Sequence, residues 1–320
     1  MSELMQVTAA LPNVSHVLDL FSGTARVSSA LRARGYTVTA NDHNRYAYTL
    51  ASCYVAADHG THAEAAADLL SELNGLPGQP GYFTQTFCEE ARYFQPKNGA
   101  RIDAIREAIA ERALAPEVEA ILLVSLMEAA DRVDSTVGLQ MAYLKHWAPR
   151  SFNDLTLRMP ELTRGPVGRA LMLDALACAR EGSYDAVYLD PPYNQHKYLN
   201  NYHVWESLVR WDKPQVYGVA RKRVDCREYD SPFNSRRRIH AALRELVDTL
   251  DTRFLVVSFN DEGYVSEEEL RAILATRGPV AVLRVDSPRY VGAKIGIYNP
   301  SGVKTGKVSH LRNQELIFVV

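Results

Sequence analysis

The sequence predicts a mixed α/β fold in which a parallel sheet is interrupted by a mostly helical insertion. Three observations carry this. Residues 16–40 read as strand, helix, strand. Strand signals become scarce between Tyr46 and Leu162. The α/β rhythm then returns after Gly165-Pro166-Val167-Gly168. A strand–helix–strand unit requires a crossover and hence parallel pairing.

Taken in order, His16–Phe21 (HVLDLF) is a short apolar run that ends in a loop holding Gly23, the pattern of a buried strand. Ala25–Arg34 places Val27, Ala30 and Leu31 at helical spacing and stops at Gly35. Tyr36–Ala40 is the second strand, followed by the polar turn Asn41–Asn44. Ala63–Leu73, Ile102–Leu114 and Val118–Val133 are helices of the insertion, separated by loops such as Gly75–Gly81. Arg169–Arg180 suits a helix, although its Leu-Met-Leu start equally suits a short strand. Tyr184–Leu189 is a strand, Asn201–Arg210 a helix, and Val219–Arg238 a basic, turn-rich stretch. Ile239–Leu250 is a helix, Phe254–Phe259 a buried strand, and Ser266–Thr276 a helix capped by Ser266 with an acidic first turn. Val280–Val285 and Glu315–Val320 are strands. The boundaries expected are 1–57 and 166–320 for the α/β domain and 58–165 for a helical insertion that acts as lid or recognition region.

The 320 residues suit one large domain or one domain with an insertion. With 47% hydrophobic and 23% charged residues, the chain can bury a sizeable core. Its net charge of −2 excludes a global basic field, so any nucleic-acid partner must be met by a local patch. Cys53, Cys88, Cys178 and Cys226 are scattered, which points to reduced thiols and no metal site. Met1–Asn13 lacks the pattern of a signal peptide, and no apolar run approaches membrane-spanning length. The expected location is therefore cytoplasmic, with no membrane partner.

Two motifs carry chemistry. Asp190-Pro191-Pro192-Tyr193 follows an apolar strand, at the carboxyl end where open α/β sheets bind ligands. The two prolines stiffen the loop and leave the Pro191 carbonyl to accept from a ligand amine. Asp190 adds a carboxylate acceptor and Tyr193 an aromatic face. Two acceptors beside a stacking face suit an aromatic amino group, a poor nucleophile because its lone pair is drawn into the ring. The plainer reading is a strand terminator. The second motif, Asp19-Leu20-Phe21-Ser22-Gly23-Thr24-Ala25, turns from strand into helix, and Gly23 permits close backbone approach to a ligand. Asp42 ends the second strand, where an acidic side chain holds ribose hydroxyls or caps the next helix; the two roles are compatible.

Together, DLFSGT before a helix, an acidic residue after the next strand, and a downstream DPPY resemble the Dam-like group of adenine-specific (N6) DNA methyltransferases. DPPYNQHKYLNNYHVWESLVRWDKP, RYFQPKNGARIDAIREAI and SHLRNQELIFVV extend the resemblance to the FokI-type modification methylases, over nearly the whole chain. The resemblance implies a Rossmann-like sheet and S-adenosylmethionine as cofactor. It implies that Asp19, Phe21, Gly23 and Thr24 line the methionine and adenosine side, Asp42 the ribose, and Asp174 the adenine amine. Asp190, Pro191, Pro192 and Tyr193 would grip the target base. Ala25 departs from the second glycine common in the family, which implies altered loop packing with binding retained. A second departure is the lack of a clear N-terminal cofactor segment, which leaves Tyr93 or Phe94 to close the methionine end.

The expected substrate is DNA, with the target adenine flipped out of the duplex. Residues 219–238 hold seven Lys/Arg against three Asp/Glu, and Arg221, Lys222, Arg223, Arg236, Arg237 and Arg238 are the candidates for phosphate contact. A solvated loop of surface ion pairs is the rival. Tyr198, Asn200, Asn201, Tyr202 and His203 could reach the flipped base or its neighbours, with packing the rival role for Tyr202 and Trp205. Other chemistries on this fold are RNA adenine-N6 methylation and N4-cytosine methylation of DNA; a non-catalytic DNA-binding relative is the rival from another class. A cognate restriction or defence component and a monomer or dimer complete the expected partners.

Overall fold

The computed structural model describes residues 1–260, 263–288, 297–298, 304–306 and 312–320. In chain order its main elements are α1 (Ser2–Ala10), β1 (His16–Asp19), α2 (Arg26–Arg32), β2 (Thr37–Asn41), α3 (Arg45–Ala51), α4 (His59–Asn74), α5 (Pro96–Ala110) and α6 (Pro116–Asp131). Then follow β3 (Arg169–Leu171), α7 (Ala175–Ala179), β4 (Ser183–Leu189), α8 (His203–Arg210), α9 (Ile239–Thr249), β5 (Asp251–Asn260), α10 (Glu267–Leu274), β6 (Ala281–Pro288) and β7 (Arg312–Val319). These seven strands make the α/β framework. The chain divides into two compact units, residues 15–178 with 196–230, and residues 1–14 with 179–195 and 231–320.

The first unit carries β3, β2 and β1 side by side, all parallel. The Leu-Met-Leu run resolves here as strand, because Arg169–Leu171 pairs with Thr39–Asn41; only Ala175–Ala179 is helical. Parallel register brings the carboxyl ends of all three strands to one edge, which places Asp19, Asp42 and Asp174 on neighbouring loops. Helices α4, α5 and α6 pack with α3 and α8 around an apolar core in which Phe83, Phe87, Phe94, Ile102, Ile121 and Leu122 are buried. Pro96 and Pro116 start two of these helices, at the position where a missing N–H costs nothing. Asp58 caps the third by accepting from the Thr61 amide at 2.9 Å. Residues 45–56, which carry no strong helical signature, are helical too, the last turn being π.

Arg32, fully buried, fastens the root of the helical region. Its guanidinium donates to the carbonyls of Tyr54 (3.1 Å) and Ala57 (2.8 Å) before that region and of Pro166 (2.9 Å) after it. Gly165 makes this possible: its φ is +136°, and a Cβ there would lie 2.3 Å from the Arg32 carbonyl.

The second unit orders its strands β4-β5-β7-β6. β4 and β5 are parallel, and β7 runs antiparallel to both of its neighbours. The FLVVSF run lies in β5, with Leu255, Val256, Val257 and Phe259 buried. α10 begins in a full capping box formed by Ser266 and Glu269. Of the segment SHLRNQELIFVV, residues 309–311 lie outside the described residues.

Candidate active site

In the first unit the loop after β1 is built by backbone geometry. Asp19 is buried and accepts from Ser28 Oγ at 2.6 Å, tying the strand end to α2. Phe21 is half-buried and Thr24 exposed. Gly23 and Ala25 on either side of Thr24 are both left-handed, with φ of +50° and +58°. An alanine in that region costs about 1–2 kcal/mol, which is the physical reason for a glycine in the family pattern. The chain tolerates Ala25, which is fully buried and whose amide donates to the Ser22 carbonyl at 2.7 Å.

Asp42 is half-buried and bridges two loops. Oδ2 accepts from the Gly23 amide at 3.0 Å, and Oδ1 from the Asn44 amide at 2.8 Å. Burial raises its pKa, against the pull of those hydrogen bonds. The N-cap of α3 is Asn44, so Asp42 shapes the turn before the helix instead of capping it. Asp174 is exposed and accepts from the Leu176 amide at 2.9 Å, as a cap of α7. Sequence reasoning missed Asn41 as a site residue. Its buried amide donates to the carbonyls of Leu20 and Leu173, each at 3.2 Å, and accepts from the Leu173 amide at 3.0 Å. One side chain thus holds three strand ends in register. Its signal was a polar residue closing an apolar strand, which also reads as ordinary turn chemistry.

Glu206 in α8 was missed as well. Buried, it accepts from the Arg45 and Tyr46 amides at 3.2 and 3.0 Å, and so supplies the anionic cap for α3. Burial raises its pKa against those bonds. A cavity of about 700 Å3 opens beside these elements, with His43, Asn44, Met172, Glu206, Arg210 and Tyr229 in its lining. His43 stacks on Tyr229 with ring centroids 5.0 Å apart.

In the second unit, the Asp190–Tyr193 loop leaves β4. Pro191 is buried; Pro192 and Tyr193 are half-buried. The Tyr193 ring meets Phe259 edge-on at 5.8 Å, and its carbonyl accepts from the Tyr264 amide at 2.8 Å. Tyr264 also donates its hydroxyl to Gln195 at 2.8 Å. Asn234 donates to the Asn194 carbonyl at 2.7 Å. Neither Tyr264 nor Asn234 stands out in the sequence, since their partners are distant in the chain. Asp190 is open to water on one side. Crowding by protein and, after it, the Glu315 carboxylate push its carboxyl up to about 7.

The basic residues divide by environment. Arg236, Arg237 and Arg238 are exposed, with Arg236 over the Tyr264 ring at 6.0 Å. Arg221 and Lys222 are half-buried, and Arg221 pairs with Glu90 at 3.3 Å. Arg223 is 1% exposed and held by Asp212 and Asp225, at 2.7 and 2.9 Å, so its charge is spent inside the protein. Tyr93 and Phe94 are buried in the helical core. The Tyr93 hydroxyl donates towards the carbonyls of Gln140 and Ala220, and Phe94 packs on Phe83 and Trp205. Neither offers a face for closing a cofactor site. His203 is fully buried, and burial pulls its pKa down to about 4.

The model of the D12 class N6 adenine-specific DNA methyltransferases matches residues 2–273, and the chain belongs to that family. It is an adenine-specific DNA methyltransferase of the restriction–modification type, with a Rossmann-like fold. Similar proteins include the type II methyltransferase M.NlaIII of Neisseria lactamica, 29% identical over 92% of this chain and 89% of that protein. The modification methylase StsI of Streptococcus sanguinis is 29% identical over 80% of this chain and 41% of its own length. The type II methyltransferase M.FokI of Planomicrobium okeanokoites is 29% identical over 85% and 44% respectively. The chain therefore spans less than half of the last two. Among the described residues no helix is long and apolar enough to cross a membrane, and no cluster of residues could hold a metal ion.

Proposed function

We propose that the methyl donor is S-adenosylmethionine, and that the Asp190-Pro191-Pro192-Tyr193 loop grips an adenine flipped out of duplex DNA. The observation that carries this is the buttressing of that loop by Tyr264, Phe259 and Asn234, which presents a carboxylate, a proline carbonyl and a ring from a fixed backbone. The donor set of the other unit fits the cofactor: Asp42 would hold the ribose, Asp174 the adenine amine, and the loop of Asp19, Phe21, Gly23 and Thr24 the methionine and adenosine side. Bound there, the cofactor supplies an electrophilic sulfonium methyl. Asp190 and the Pro191 carbonyl accept the two amine hydrogens, raising electron density on a nitrogen that the ring otherwise drains. Tyr193 stacks on the base, and Pro192 keeps the loop stiff. Arg221, Lys222, Arg236, Arg237 and Arg238 hold phosphates, while Arg223 braces the segment that carries the first two. Residues 58–165 act as recognition region or lid on a domain formed by 1–57 and 166–320. A cytoplasmic enzyme, alone or as a dimer beside a cognate nuclease, fits this reading.

The test is transfer of labelled methyl from S-adenosylmethionine to unmethylated DNA, with RNA in parallel, followed by nucleoside analysis. N6-methyldeoxyadenosine is the expected product. Label in RNA alone, or on cytosine, would overturn the substrate.

Ionised, Asp190 is a strong acceptor for the amine; protonated, it accepts more weakly and carries a competing O–H donor. Its raised pKa therefore places an acid limb in the single-turnover rate, with activity falling as pH drops through about 7. Glu315→Gln removes the like charge but not the crowding. The acid limb is expected to move to lower pH, with the plateau rate unchanged. A limb that stays in place would show that Glu315 does not act on the titrating group.

A further inference from the structure

Both oxygens of the buried Glu206 carboxylate are committed to the start of α3. Oε1 accepts from the Arg45 amide at 3.2 Å and Oε2 from the Tyr46 amide at 3.0 Å. Arg210 does not compete for them: its guanidinium is 3.9 Å from Glu206 and bonds Asp212 and Asp225 at 2.9 Å each. The helix that carries Glu206, α8, is itself held at both ends by side chains of the first unit. The Gln140 side-chain oxygen accepts from the amides of Val204 and Trp205 at 3.0 and 3.3 Å. Arg106 donates to the carbonyls of Leu208 and Val209 at 2.9 and 3.1 Å. The carboxylate therefore reaches α3 from a fixed helix and not from a loop.

Arg45, the first residue of α3, stands three positions after Asp42. Amides in a first helical turn have no partner within the helix and draw the nearest anion. Two carboxylates are within reach of these, and Glu206 takes them. Asp42 is left to the turn before the helix. There its Oδ1 accepts from the amide and the side-chain nitrogen of Asn44, at 2.8 and 3.0 Å. Its Oδ2 accepts from the Gly23 amide at 3.0 Å, and an oxygen with two lone pairs has room for one donor more. A ribose hydroxyl is such a donor.

We infer that Glu206 is a positioning residue for the cofactor: by filling the amides at the start of α3, it keeps Asp42 turned to the ribose. This rests on the proposal above that Asp42 holds the ribose. Without the Glu206 carboxylate the Arg45 and Tyr46 amides are orphaned, and Asp42 swings onto them and away from Gly23.

The test compares two ligands on the full chain by titration calorimetry: S-adenosylhomocysteine and its analogue without the ribose hydroxyls. A hydrogen bond to a charged group is worth about tenfold or more in affinity, and the wild type should prefer the intact ligand by that factor. Glu206→Gln keeps the side chain's size and one acceptor but turns an amino group toward the second amide. Its preference should fall to within about threefold of none. The ligands differ only at the ribose, so a general loosening of the unit would lower both affinities and leave their ratio unchanged. A second variant removes an amide instead of the carboxylate. Asn44 is extended, with φ of −84° and ψ of 137°, so the first helical position after it accepts proline. In Glu206→Gln/Arg45→Pro the glutamine oxygen serves the Tyr46 amide and no amide is left over, so the preference should return to within about threefold of wild type. A ratio unchanged in Glu206→Gln, or one not restored in the double variant, would overturn the role of Glu206. A wild type indifferent to the ribose hydroxyls would instead remove Asp42 from the ribose, and the inference with it.

Discussion

Asp190→Ala is expected to abolish detectable methyl transfer while leaving DNA affinity within a few-fold of wild type. Removing a single preorganised transition-state partner costs about 10²–10³ in rate in comparable sites, and in the role proposed above Asp190 is one of two acceptors for the amine. Affinity for DNA in general comes mainly from phosphate contacts, which the proposal above assigns to other residues. The carboxylate is not a structural strut: it lies at the open end of β4, and its charge is disfavoured there by crowding and by Glu315. Removing it should therefore not destabilise the fold. Asp190→Asn is the sharper variant. It keeps the shape and one acceptor oxygen but turns a hydrogen-bond donor toward the amine, and should be nearly as inactive. Rapid-quench methylation with filter binding on the same DNA separates the two effects. Retained transfer in both variants would remove Asp190 from the catalytic role. Lost transfer with equally lost DNA binding would make it a binding residue instead.

The Asp-Pro-Pro-Tyr loop stood out as a candidate because its pattern is local: Asp190, two prolines and Tyr193 are consecutive, and a strand leads into them. The same holds for the turn from Asp19 to Ala25, whose left-handed positions are written in Gly23 and in the oddity of Ala25. The fold class followed from periodicity, and the helices at 59–74, 96–110 and 116–131 announced themselves by apolar spacing. What could not be read was long-range. Asn41 acts on Leu173, 132 residues away, and Glu206 caps a helix 160 residues before it. Gln140 joins a loop to the amides of Val204 and Trp205. Each is a polar side chain whose partner is fixed only after the chain has folded, so its type alone says no more than "turn" or "surface". The converse error concerns Arg223, which reads as one of a run of surface cations. Two acidic neighbours, Asp212 and Asp225, fold around it and take the charge indoors. Cation clusters in sequence report composition; only packing separates the members left exposed, such as Arg236, Arg237 and Arg238, from those that brace the loop.

The second large effect expected is on stability, at a residue with no direct role in the chemistry. Arg32→Leu should cost about 3–5 kcal/mol, because it leaves three buried carbonyls without their charged donor. Those carbonyls belong to Tyr54, Ala57 and Pro166, which stand on either side of the helical region, so one guanidinium closes a loop of more than a hundred residues. Lysine cannot replace it: a single ammonium has no planar fork with which to reach three acceptors at once. Arg32→Lys is therefore expected to recover less than half of the lost stability. Gly165 gives an independent handle on the same clasp. Gly165→Ala would push a Cβ into the Arg32 backbone carbonyl at a φ of +136°, and should destabilise without altering any charge. Because both substitutions loosen one junction, their effects should fall short of additive in the double variant. Urea unfolding of the four variants measures this. Full additivity would show that the arginine and the glycine act separately and that the root of the helical region is not a single clasp. A coupled pair would instead fix which part of the chain opens first: native-state hydrogen exchange should then rise in residues 59–131 of Arg32→Leu before it rises in the strands β1 and β2.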